Sequence, residues 1–444
     1  MNDDLECDYS TYDLLFCPTT PWPCLSFDFI YNNQNKEDCI SKSKINGKEF
    51  KGNELTYPID ITCVSGTQAT EKESNSIYVI KWGNLNKLDL YLSSESASSN
   101  DEQIDKIENK KSIEKNNSDN NKQSEDDSVI ICKSIKHTHG CINRIKSSKK
   151  INSLVGAWCE DKKVYIYEIR DEIEGLNERI YNENIQKDPV YIFNKHSNEG
   201  FAIDWNPIYG AQLLTGDNDG NLFLWLPDNM AKWKHENLNS TSIRNNCNKY
   251  SIEDIQWTKK GNGLGHVFAI CSSDKSIKIV DTRNIKSVST ENQMQHLINR
   301  EIGFKIDIPN AHSSDVNVIT WNENFEFLLA SGGDDSVVKI WDIRNTSKNV
   351  ASLNFHKDSI TSISWDSKDT YVLLTSSLDN SISVWDLSVE SEGLEHSFAQ
   401  YPDQLLFEHK NQNFITDAKF HPSYPGVIVS TSGECFNIFK PYNT

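Results

Sequence analysis

Apolar and polar positions alternate, or run β-branched, through short stretches such as VNVITW, LLASGG and VVKIWDI, and Gly, Asp and Asn punctuate them. A period of two broken by turn residues predicts strands and tight turns rather than helices. The pattern also recurs on a larger scale. From His196, His312 and His356, a Trp follows nine positions on (Trp205, Trp321, Trp365), an Asp twenty-three on (Asp219, Asp335, Asp379) and a second Trp twenty-nine on (Trp225, Trp341, Trp385). Degenerate copies extend the frame: Trp257, Asp274 and Val280 with Asn248 in place of His, Asp161 with Tyr167, and Phe420, Gly433 and Phe439. DITCVSGTQ and NSIYVIKW read as two strands of a first copy. Seven units thus start near residues 57, 139, 196, 248, 312, 356 and 409. Repeats of about 40–45 residues with four short strands each predict a propeller. One such sheet cannot bury both faces, so the units stack radially and close into a ring spanning residues 21–441.

Four segments fall outside the frame. Trp22 to Ile30 alternates Leu25, Phe27 and Phe29 with Ser26 and Asp28, which predicts a strand without a local partner. It is expected to close the ring as the outer strand of the seventh blade. In the leading segment, residues 1–20, Ser10 to Asp13 has the form of a capping box. Tyr12, Leu15 and Phe16 follow at helical spacing, and Pro21 and Pro23 stop the run, so a short amphipathic helix is predicted. Residues 95–128 are polar and of low complexity, and cannot bury enough surface to offset ordering; a disordered insertion between blades one and two is expected. Finally, the stretch after Trp385 is longer than a connection needs. It carries Glu390, Glu392, Glu395 and Asp403 before the apolar run Leu405 to Phe407, and reads as an acidic rim loop leading into a strand.

The segments SGGDDSVVKIWDIR and TSSLDNSISVWDL resemble WD repeats. The expected fold is therefore all-β, a seven-bladed WD-repeat β-propeller with a short N-terminal helix. By position, the repeat's hydrogen-bonded tetrads would be His312, Ser331, Asp335 and Trp341; His356, Thr375, Asp379 and Trp385; and His196, Thr215, Asp219 and Trp225. These residue types suit a relay: a buried indole N–H needs an acceptor, a hydroxyl both accepts and donates, and a neutral imidazole passes the chain to a carboxylate. A hydrolase triad uses similar groups, but once, beside an oxyanion hole. Three copies at one spacing, each ending on a Trp, read as structure.

Composition narrows the partners. Sixty-four acidic against 45 basic side chains give a net charge of −19. Such an excess repels nucleic acid and anionic membranes and favours cationic proteins, so neither direct nucleic-acid contact nor membrane association is expected. No stretch approaches the roughly 20 apolar residues of a membrane span. The start MNDDLECDYS is acidic and polar, unlike a signal peptide. Eleven scattered cysteines without a C-x-x-C pair point to a reduced, intracellular setting and give no metal-ligand spacing. With no phosphate loop or unique nucleophile either, no catalytic residue, metal or cofactor is expected.

Several local stretches go beyond the generic repeat. WPCLSFDF, SGTQATEKESNSIYVIKWGNL, GCINRIK, GFAIDWNP, LLTGDNDGNLFLW, SIEDIQW, AHSSDVNVITW and QLLFEHK resemble, in order and over nearly the whole chain, the glutamate-rich WD-repeat proteins. That resemblance implies a nuclear and nucleolar chaperone, partly cytoplasmic, that escorts a basic ribosomal protein of the large subunit into pre-ribosomal particles. Some members also bind histones, as do the related retinoblastoma-associated propellers of chromatin assembly. Those relatives grip a histone helix between an N-terminal helix and an acidic loop of the penultimate blade. Carried over by position, the partner-binding residues would be Tyr12, Leu15, Phe16, Glu390, Glu392, Glu395 and Asp403. The sequence departs from the family in two places. The family's glutamate tract is here diluted with Lys and Asn in residues 95–128, and the sequence given ends at Thr444 without the helix that the histone-binding relatives append, which points to the ribosomal branch. Trp341 to Arg344, WDIR, also resembles the docking signature of cullin ubiquitin-ligase receptors, although Asp342 and Arg344 can equally form a local ion pair.

Overall fold

The computed structural model describes residues 8–30, 55–88, 128–177, 183–227, 233–238, 250–261, 263–284, 286–287, 300–301, 304–390, 401–410 and 412–443. Seven antiparallel blades surround one axis. Their first strands are Cys24–Phe29, Ile142–Ser147, Ala202–Trp205, Ile252–Trp257, Val316–Trp321, Ile360–Trp365 and Asp417–Phe420, and each touches the first strand of the next blade around the ring. Apolar residues from facing sheets fill the wedge between neighbouring blades, as where Leu222 and Leu224 of blade three meet Ile255 and Phe268 of blade four.

An innermost strand has a bare edge, and its backbone N–H groups need acceptors. Polar side chains at alternate positions of the preceding blade's first strand supply them. Asp28 accepts from the Ser147 amide at 2.9 Å, Asp204 from Trp257 at 2.8 Å, Asp254 from Ile319 at 3.2 Å, and Gln256 from Trp321 at 3.2 Å. Asp417 of the last blade accepts from Phe27 of the first at 3.4 Å. In the return direction the indoles of Trp205, Trp321 and Trp365 donate to the carbonyls of Lys146, Gln256 and Thr320 on the blade before. This explains the first Trp of the repeat: it stitches each blade to its predecessor.

Three expectations are corrected. The strand closing the ring is Tyr12–Phe16, not the segment from Trp22 to Ile30. It pairs antiparallel with Phe436–Pro441, with Leu15 opposite Phe439 and Phe16 opposite Ile438. Consequently there is no amphipathic N-terminal helix among the described residues, only a 3-10 turn over Tyr9–Thr11, capped by the Asp8 carboxylate. Five residues are too few to nucleate a free helix, whereas the bare edge of the last strand offers backbone partners at once. A bulge between Tyr12 and Leu14 lets the short strand serve two cores. Tyr12 and Leu15 pack between blades six and seven, and Leu14 and Phe16 between seven and one.

Cys24–Phe29 instead opens blade one, pairing with Ile59–Thr67 (Phe29 opposite Cys63). That blade therefore starts at Cys24 rather than near residue 57. The stretch 95–128 does not separate blades one and two. It falls inside blade one, between Ser76–Leu85 and Val129–Lys136, whose ends still pair through Gly83 and Val129. Apart from Ser128, it lies outside the described residues. Blade one also gains a fifth strand that no pattern announced. Glu183–Ile185, reached through the short helix Arg170–Gly175, pairs parallel with Val129–Lys136. The buried Glu172 of that helix is held by Lys187 at 2.7 Å.

Candidate functional site

Two constellations were singled out by the sequence, and the structure treats them differently. In blade five, Trp341 donates its indole N–H to Ser331 at 2.9 Å, His312 Nε2 meets the same hydroxyl at 2.7 Å, and His312 Nδ1 faces Asp335 at 2.9 Å. Blade six repeats this with Trp385 to Thr375 (3.0 Å), His356 to Thr375 (2.8 Å) and His356 to Asp379 (3.0 Å). Burial alone would raise Asp335 and Asp379, but hydrogen bonds from the imidazoles and from the following backbone amides hold both well below the usual carboxylate range. The three imidazoles are sealed, with side-chain exposures of 0%, 0% and 1% for His196, His312 and His356. A substrate cannot reach them.

Blade three departs from the expected set. His196 bonds Thr215 at 2.8 Å and Trp225 donates to Thr215 at 3.0 Å, but the carboxylate facing His196 Nδ1 is Asp217, at 3.1 Å, and not Asp219. Asp217 is fully buried and also accepts from the amides of Asp219 and Asn221, so it organises the turn as well. Asp219 sits nearer the surface and accepts from the Ser197 hydroxyl at 2.5 Å. The stretch TGDNDG offers both carboxylates, and strict spacing selects the second; only the turn geometry separates them. Blade two manages without the hydroxyl, since Ala157 lies between Trp and His positions and Tyr167 reaches His137 Nδ1 directly at 2.9 Å.

The partner-binding set is partly brought together. Tyr12 is buried, with its ring edge-on to Phe407 at 5.3 Å and its hydroxyl 2.8 Å from His409 Nδ1. His409 also stacks on Phe439 at 4.2 Å and meets the Asn437 amide at 3.0 Å. Burial pushes this imidazole down to about 4. Leu15 packs partly buried into the same cluster as Phe407, whereas Phe16 turns to the other side, towards blade one. Phe407 lies on Leu405–Lys410, the strand that the acidic loop leads into. Glu390 and Asp403, both exposed, stand at the two ends of that loop, which Gln404 ties together by donating to the Val389 carbonyl at 3.2 Å. Glu392 and Glu395 lie outside the described residues. The N-terminal segment and the acidic loop thus meet at the outer seam of blades six and seven, through a strand rather than a helix.

The WDIR stretch is locally engaged. Asp342 holds Arg344 through a 2.6 Å ion pair, and the guanidinium lies over the Phe327 ring at 4.7 Å. Among the described residues no group of three or more His, Cys, Asp or Glu is arranged to hold a metal ion, and no helix is long and apolar enough to cross a membrane.

Seven blades carrying indole–hydroxyl–imidazole–carboxylate relays define a WD-repeat scaffold. The model of the WD domain, G-beta repeat, matches residues 304–342 and 347–386, blades five and six. A second family model, that of the histone-binding protein RBBP4 and its equivalent in the CAF1 complex, matches residues 2–86, which include the closing strand and the first three strands of blade one. Along its length the chain is 31% identical over 458 residues to the glutamate-rich WD repeat-containing protein 1 of Dictyostelium discoideum, covering 99% of this chain and 82% of the relative. It is 29% identical over 485 residues to the ribosome assembly protein rrb1 of Schizosaccharomyces pombe, with 99% and 82% covered. To the protein HEAT STRESS TOLERANT DWD 1 of Arabidopsis thaliana it is 30% identical over 480 residues, with 99% and 89% covered. The chain belongs to the glutamate-rich WD-repeat family.

Proposed function

We propose that this chain is a nuclear and nucleolar ribosome-assembly chaperone that holds a basic ribosomal protein of the large subunit along the outer seam of blades six and seven. The observation that carries the reading is the packing of Tyr12 on Phe407, which joins the N-terminal segment to the strand fed by the acidic loop. Apolar surface at Leu15 and Phe16 would set residence time, and Glu390, Glu392, Glu395 and Asp403 would steer a cationic segment to it. The net charge of −19 suits a client whose basic tails otherwise bind RNA indiscriminately. A relative named as a ribosome assembly protein, similar over 99% of this chain, supports the ribosomal branch.

Histone binding is the second reading, favoured by the match of residues 2–86 to a histone-binding model. A ubiquitin-ligase receptor role rests on WDIR alone, and there Arg344 is already engaged by Asp342 and Phe327. Affinity purification with mass spectrometry separates the first two. Pre-ribosomal proteins together with rRNA are expected; histones recovered without rRNA would overturn the ribosomal reading.

A further inference from the structure

The acidic balance of the whole chain hides a local reversal. On the lower face, opposite the turns that carry the tetrad carboxylates, three consecutive loops join first and second strands: SKKINS (148–153), NPIYGAQ (206–212) and TKKGNGLGH (258–266). They contain four lysines and a histidine and no carboxylate, in a chain of net charge −19. The upper face differs, with Glu199, Glu253, Asp315, Asp334 and Asp358 on its loops.

These loops form one surface rather than three. Ser148 donates to the Gly210 carbonyl at 2.8 Å, and Asn206 to the Gly265 carbonyl at 3.0 Å. The Tyr209 and His266 rings lie 6.0 Å apart. Gly210 approaches Lys150 so closely that a Cβ there would meet the Lys150 Cβ at 2.5 Å. On this joined surface Lys149, Lys150 and Lys260 are exposed, and Tyr209 and Ile208 are exposed by 46% and 43%. Carboxylates stand only below it or at its border. Asp204 lies beneath, pushed up to about 6 by burial. Glu323 and Glu326 come from blade five, and Glu323 is taken up by Lys259 at 2.9 Å.

Exposed lysines flanking an exposed aromatic ring match what single-stranded nucleic acid needs: cations that follow the phosphates and a flat apolar face for a base. An acidic peptide would use the lysines but has no use for the ring. We propose that this lysine–tyrosine surface of blades two to four binds single-stranded RNA, with Lys149, Lys150 and Lys260 on phosphates and Tyr209 stacked on a base. The proposal is independent of the client reading, since the two surfaces share no residue.

The test uses the full chain and fluorescence anisotropy with a labelled oligouridine of roughly 12 nucleotides, a length within single-strand site sizes. Lys149→Glu, Lys150→Glu and Lys260→Glu together should weaken binding at least tenfold and flatten the salt slope by about 2, at roughly 0.7 per lost phosphate contact. Tyr209→Ala should weaken it about tenfold. Reversing Lys72, Lys195 and Lys357, exposed on the upper face, makes the same charge change and should leave affinity within about twofold. Thermal midpoints should not move in any variant. Unchanged affinity in the lower-face reversal, an equal fall in the upper-face control, or indifference to Tyr209→Ala overturns the proposal. So does polyglutamate binding as tightly as RNA, which would mark the surface as a dock for acidic protein.

Discussion

Blade three gives two nearby carboxylates on one turn different jobs, and replacing each in turn separates them. Asp217 accepts from His196 Nδ1 (3.1 Å), the Ser197 amide (3.2 Å), the Asp219 amide (3.1 Å), and both the amide and side chain of Asn221 (2.7 Å each). Asp217→Ala strands several of these donors in a site with no exposure. An orphaned buried donor costs about 1–3 kcal/mol, and some will find water, so a loss of about 3–5 kcal/mol is expected. Asp219→Ala removes the partner of the Ser197 hydroxyl near the surface and should cost under about 1 kcal/mol. Urea unfolding followed by Trp fluorescence measures both, and amide exchange in Leu213–Gly216 and Leu222–Pro227 shows whether the damage is confined to this blade. Asp217→Ala should also be non-additive with Trp225→Phe, because both act through His196 and Thr215. Equal losses for the two aspartates, a larger one at Asp219, or strict additivity would refute the relay.

Closure of the ring gives a second expectation. Deleting residues 1–16 removes Tyr12 and the fourth strand of blade seven and exposes the Phe439 and Phe407 cluster, so the truncated chain should lose its cooperative thermal transition; an unchanged midpoint would contradict closure by Tyr12–Phe16. A third concerns pH. Burial holds His137 and His409 at about 4 and His421 at about 3, below the unfolded value of about 6.5. The unfolded chain then binds more protons in this window, so stability is complete above about pH 6.5 and falls as pH drops towards 4. Asp204, raised to about 6, works in the opposite sense, but it is one group against three. Thermal midpoints should decline steadily from about pH 7.5 to about pH 4.5, and a flat profile would refute neutral burial of these imidazoles. Finally, deleting residues 100–126 should leave folding intact, because Gly83 and Val129 keep the flanking strands paired; loss of soluble protein would count against this.

The ring of seven was legible because its signals are local and repeated. Strand alternation, turn residues and the two Trp positions of each unit sit at constant spacing, and each answers a need that recurs in every blade. The ends were not legible, because closure is decided by a partner at the far end of the chain. Tyr12–Phe16 has apolar residues at helical spacing, and only the bare edge of Phe436–Pro441 makes it a strand. The same competition misplaced Cys24–Phe29, whose partner Ile59–Thr67 lies across a long connection. At the candidate seam the residue types were readable but the contact was not: nothing in the sequence joins Tyr12 to Phe407 and His409. The lower-face lysines were masked in another way, since a net charge averages over faces that a partner meets separately.

The central claim is that a basic ribosomal client lies along the seam of blades six and seven, and the kinetics of its binding to surface-tethered full-length chain test it most directly. Reversing Glu390, Glu392, Glu395 and Asp403 to Lys should slow association at least tenfold at low salt and flatten its salt dependence, with dissociation and the thermal midpoint nearly unchanged. Leu15→Ala with Phe16→Ala should leave association alone and speed dissociation. Unchanged kinetics in both variants, with association abolished instead by reversing Glu199, Asp315 and Asp334 on the upper face, would contradict the claim and place the client elsewhere.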